Sequence, residues 1–146
     1  HAGEKPWGRV KADVYMPCAT QNEIGLEDAK RMIEEGTSKL LIEVANMPTK
    51  AEAVEELQKA GFMIAPSKAV NAGGVAVSAL EMSQNAMKLS WTEEEVDEKL
   101  KKIMKNIFNN IDSAAKKYGM DGNLIAGANI AGFLKVAEAM LNEGIF

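Results

Sequence analysis

Three short polar stretches carry the side chains best able to hold a small ligand: "PCATQNE" (17–23), "ANMPT" (45–49) and "APSKAVNAGGV" (65–75). Thr20, Gln21, Asn22, Asn46, Ser67, Lys68 and Asn71 offer the amides, hydroxyls and amine that a carboxamide, a ribose or a carboxylate would use. The same residue types cap helices and close turns wherever a chain bends, so ligand binding and capping are both open at this level. The adjacent Gly73 and Gly74 either relieve packing at a helix crossing or let a ligand approach bare backbone. In the second case Val75, beside the pair, and Ser78, one turn beyond Gly74, would line a small site. Lys68 is either a local positive charge for an anionic ligand or a solvated loop lysine.

Other chemistries find little support. Cys18 has no histidine to activate it except the terminal His1, and is expected to be a buried structural thiol. Acidic residues never fall at ligand spacing with Cys or His, so no metal site is expected. "GANIAG" (127–132) lacks the paired first glycines and the preceding strand of a dinucleotide-binding turn, and no phosphate-binding loop of the Walker type occurs. The nine methionines read mostly as core filler on helix faces.

Composition narrows the classes further. The 146 residues suit one ordinary domain able to bury its own core. With 17 Lys and Arg interleaved among 21 Asp and Glu, net charge −4, the basic patch of a nucleic-acid binder is missing, and no nucleic-acid partner is expected. No secretory segment or bilayer-length apolar run is read from the sequence, so a cytoplasmic protein without a membrane partner is expected. The opening "HAGEKPWGRVKADVYMP" lacks an initiator methionine and reads as the middle of a longer chain, with His1 either native or left by a tag.

The elements that must position these loops follow from periodicity. "ADVYMP", "KLLIEVA" and "FMIAP" read as three short strands, too uniformly apolar to alternate. Between them, "GLEDAKRMIEEG" places Leu26, Ala29, Met32 and Ile33 on one helical face and stops at Gly36. "PTKAEAVEELQKAG" is a second helix, with Thr49 as N-cap, Glu52 completing a capping box and Gly61 ending it. This alternation predicts an α/β fold: a partial Rossmann-like parallel sheet of about three strands, flanking helices and a C-terminal helical segment. The polar loops then lie at the carboxyl ends of the strands, where open parallel sheets bind ligands. After Pro66 the chain reads as helix from about 70 to 89, from Thr92 to about 119 and from about 123 to 144. In the middle one Val96, Leu100, Ile103, Met104, Ile107, Phe108 and Ile111 form a stripe. Residues 1–66 and 67–146 are the expected domains.

Beyond these physical patterns, "GEKPWG", "PCATQNE", "EVANMPT", "APSKAVNAGGVAVSALEMSQN" and "GANIAGF" occur in the order and approximate spacing of the hexameric, bacterial-type glutamate dehydrogenases. The chain resembles the latter part of that family's coenzyme domain (1–66) plus the C-terminal helices that return towards the N-terminal domain (67–146). The resemblance implies NADP or NAD as cofactor, L-glutamate, 2-oxoglutarate and ammonia as reaction partners, and a homo-oligomer, a hexamer by family. It implies that Asn46 and Asn71 lie near the nicotinamide and its ribose, and that Ala19 and Thr20 line the nicotinamide side of the cleft. It also implies that Val75 and Ser78 contact the glutamate side chain, with the Ser78 hydroxyl donating to the γ-carboxylate. The family's catalytic lysine and aspartate would lie upstream, so the resemblance assigns no catalytic residue here and predicts an inactive segment. A non-catalytic binding or assembly module, and a dehydrogenase of another amino acid, are the competing readings.

Overall fold

The computed structural model describes residues 3–144, which divide into two compact units, one ending at Val70 and the other beginning at Asn71. The division falls four residues beyond the 66/67 boundary read from composition.

The first unit is α/β. Helix α1 (Leu26–Glu35) leads to strand β1 (Leu40–Ile42), helix α2 (Ala51–Lys59), strand β2 (Met63–Ala65) and the single turn α3 (Ser67–Val70). The two strands pair in parallel with Leu41 opposite Ile64, the arrangement that apolar strands joined through a helix adopt. The first expected strand is shorter than read: "ADVYMP" contributes one bridge, Tyr15 to Leu41, made by the Tyr15 amide to Leu40 O (3.0 Å) and the Ile42 amide to Tyr15 O (2.9 Å). Pro17 stops it by lacking a donor, yet its carbonyl accepts from the amides of Val44 and Ala45. Ile24, Met32, Leu41 and Leu57 are fully buried, so α1, α2 and the sheet share one core.

Capping departs from expectation at one place. Lys50, not Thr49, is the N-cap of α2, and no side chain caps it. Thr49 is drawn into a second isolated parallel bridge, to Ile24, and its hydroxyl is buried without a partner among the described residues. A long-range backbone pairing therefore displaced a local cap. At α1 the Asp28 carboxylate accepts the Gly25 amide at 2.9 Å and also pairs with Lys5 (3.1 Å) and Arg31. Burial pushes the Asp28 pKa up, but the Gly25 amide and the two cations outweigh it and hold the carboxyl below its ordinary 3.8. Tyr15 donates to Glu35 at 3.0 Å; burial first, then that bond and the Glu35 charge, push its phenol up to about 12.

The second unit is helical: α4 (Ala72–Met87), α5 (Glu93–Lys117) and α6 (Leu124–Glu143). The helix expected from about residue 70 to 89 is α4, which begins after the turn residue Asn71 that separates it from the single turn α3. Thr92 and Glu95 close a reciprocal capping box at the start of α5, and the first-turn acids and last-turn lysines suit its dipole. The α5 stripe is buried or half-buried except Phe108, which is 51% exposed. Gly127 explains how α6 lies on α5: a Cβ there would sit 2.1 Å from Ile111 O. By length and composition α6 could cross a membrane, which corrects the reading that no apolar run approaches that length.

Candidate functional site

The carboxyl edge of the sheet is built by backbone stitching. The Asn22 amide donates to Met47 O at 3.0 Å, the Ile24 amide to Pro48 O at 2.9 Å, and the Lys50 amide to Ile24 O at 3.0 Å. Asn22 and Met47 themselves turn through the left-handed region, at φ 54° and 45°. The loops bearing Ala19 and Thr20 on one side and Asn46 on the other are therefore neighbours, and all three residues are exposed. Cys18 is exposed too, its thiol 3.3 Å from Met16 O, so the buried structural thiol expected from sequence is not what the fold makes.

Below these loops sits a residue that sequence reasoning passed over. Glu43 directly follows β1, its amide bonded to Ala65 O at 3.0 Å, and its side chain is only 6% exposed. Its carboxylate accepts the Ser67 amide at 3.2 Å, satisfying one of the orphan donors at the start of α3. One acidic residue ending the apolar run "KLLIEVA" was the available signal.

In the second unit, Asn71 is the N-cap of α4, and its carbonyl accepts the Gly74 amide at 3.2 Å. Asn71, Gly74, Val75 and Ser78 fall at i, i+3, i+4 and i+7 and so form one stripe of the helix. Val75 is 75% exposed, and Ser78 is exposed as well. The glycine pair divides its duties. A Cβ on Gly73 would meet Met104 Sδ at 3.4 Å and Leu100 Cδ1 at 3.6 Å, so this glycine faces α5. A Cβ on Gly74 would meet nothing within 4 Å, so packing does not account for it. An open depression lined by Tyr118, Asn129, Ile130, Phe133 and Leu134 contains none of the residues singled out from sequence.

These residues suit a nicotinamide coenzyme in chemical type. In the first unit the exposed Asn46 amide and Thr20 hydroxyl match a carboxamide and ribose hydroxyls; in the second, Asn71 is half-buried and the space over Gly74 admits a ring or side chain close to backbone. A diphosphate-binding glycine turn is not among them.

Comparison with known proteins places the chain in a family. The chain is 56% identical over 144 residues to the NAD-specific glutamate dehydrogenase of Clostridium symbiosum and 53% identical over 146 residues to the NADP-specific enzyme of Giardia intestinalis. These alignments take in 98% and 99% of the chain but 32% of each relative, so the chain spans about a third of their length. A solved glutamate dehydrogenase superposes with a TM-score of 0.92 at 56% identity, over 98% of this chain and 32% of that one. The Plasmodium falciparum glutamate dehydrogenase gives 0.89 at 49%, over 98% and 30%. Relatives of opposite coenzyme preference are thus almost equally similar across this segment. Residues 1–144 match the Glutamate/Leucine/Phenylalanine/Valine dehydrogenase family, and the chain belongs to that family.

Proposed function

We propose that the protein containing this chain is an NAD(P)-dependent glutamate dehydrogenase, which interconverts L-glutamate with 2-oxoglutarate and ammonia. The observation that carries the proposal is the α4 stripe of Asn71, Gly74, Val75 and Ser78, in a chain at least half identical to glutamate dehydrogenases of both coenzyme types. The coenzyme, when bound, accepts or returns the hydride. This chain's residues then do the holding. Ala19 and Thr20 line the nicotinamide side, and Asn46 and Asn71 hold the carboxamide and ribose. Val75 packs on the substrate's methylenes and Ser78 donates to its distal carboxylate. A site built to bond that carboxylate rejects aliphatic substrates, because its polar groups would be left unpaired.

The segment holds one side of the reaction. On this reading residues 1–66 are the latter part of the coenzyme domain and 67–146 the returning helices, with the catalytic lysine and aspartate upstream. The whole protein is a cytoplasmic homo-hexamer. The test mixes this chain with a separately produced N-terminal segment and follows 2-oxoglutarate- and ammonia-dependent oxidation of NADH and NADPH. Turnover supports the assignment, and the faster coenzyme identifies the cofactor. Silence from folded, associated segments overturns it in favour of a non-catalytic module or another amino acid substrate.

A further inference from the structure

We propose that Glu43 is a positioning residue for the coenzyme side of the site, acting through the first turn of α3; the proposal rests on the dehydrogenase reading. Glu43 lies at the carboxyl end of β1, three residues before Asn46, and its backbone is fixed by the amide bond to Ala65 O. Its side chain crosses to the next strand's loop, where the carboxylate receives the Ser67 amide at 3.2 Å. Glu43 therefore links the loop that carries Asn46 to the first turn of α3.

Burial makes the link costly to replace by solvent. A carboxylate at 6% exposure is desolvated, and the Ser67 amide, the first of α3, has no helical acceptor. Each group answers a need of the other. A connection that served solubility or local capping alone would not require a charged residue inside the first unit. Only three residues separate Glu43 from Asn46, so releasing the clamp shifts that asparagine.

Glu43→Gln keeps an acceptor oxygen of the same reach, whereas Glu43→Ala removes it. The experiment places both changes in the full-length enzyme and measures reduced-coenzyme binding by nicotinamide fluorescence, KM for 2-oxoglutarate, and hydrogen exchange at residues 67–70. The expected result for Glu43→Ala is coenzyme affinity weakened about tenfold or more, KM for 2-oxoglutarate within about twofold, and faster exchange of the Ser67 amide. Glu43→Gln restores both affinity and protection. Unchanged coenzyme affinity in a folded Glu43→Ala enzyme, or an equal loss in both variants, overturns the proposal. The unsubstituted enzyme's turnover of glutamate checks the underlying reading separately, because coenzyme binding and exchange are read whichever amino acid is the substrate.

Discussion

The Ser78 hydroxyl lies 3.2 Å from the carbonyl oxygen of Gly74, one helical turn before it, and donates to it. A serine has a single hydroxyl proton, so bonding a substrate carboxylate requires that proton to leave the Gly74 carbonyl. The back-bond is long and exposed, and therefore readily exchanged.

Ser78→Ala should leave stability within about 0.5 kcal/mol, because the side chain is exposed and its one bond is local. In the full-length enzyme it should lower kcat/KM for 2-oxoglutarate about tenfold or more relative to aliphatic oxo acids. Parallel losses on both substrate classes would remove Ser78 from side-chain recognition.

Glycine substitutions separate packing from ligand approach. Gly74→Ala meets open space and should raise helix stability by about 1 kcal/mol, yet impair catalysis about tenfold or more if the substrate passes over it. Gly127→Ala instead drives a Cβ into Ile111 O and should cost about 3 kcal/mol, read as a lower urea midpoint. A thermally normal Gly127→Ala would contradict the close α5–α6 crossing.

Two titrations should mark the first unit. The Asp28 carboxyl lies below its ordinary 3.8 in the folded state, so its contribution is full above that value and disappears as pH falls through the folded one. Asp28→Asn should flatten acid unfolding below about pH 4. The Tyr15 phenol is raised to about 12 from 10.0, so its contribution is complete below pH 10 and lost as pH rises through about 12. Tyr15→Phe should lose about 1 kcal/mol at neutral pH and remove that alkaline step from the difference between the two proteins. Equal pH dependence of variant and parent would refute either assignment.

Exposed apolar residues predict how the chain behaves alone. Phe133, Val136 and Leu141 on α6 are 69%, 58% and 87% exposed, and such a face promotes association in water. Light scattering of the isolated chain should show concentration-dependent self-association. A clean monomer over a wide concentration range would contradict the prediction. Cys18, by contrast, should react with a maleimide in the folded state at nearly the rate of the unfolded chain.

Local pattern carried far in this sequence. The α/β class, the apolar faces of α1 and α5, the Gly36 stop and the start at Thr92 were all legible, because 3.6-residue periodicity and caps depend on near neighbours. The motif string pointed to the dehydrogenase family before any coordinates did.

Long-range contacts decided the remainder. Which neighbour a residue meets across the sheet is invisible to periodicity, and that choice drew Thr49 into a bridge with Ile24, reduced "ADVYMP" to Tyr15 alone and left Cys18 in solvent. The same dependence separated Gly73, pressed towards Met104, from Gly74, open to whatever approaches. It also buried Glu43 against the Ser67 amide, because only folding brings residues 24 positions apart within a hydrogen bond. The sequence by itself determined the helices, the two apolar strands that pair and the polar loops after them. The tertiary structure decided which of those polar atoms are spent on the fold and which remain at the surface, since a donor's partner is set by spatial packing and not by spacing along the chain.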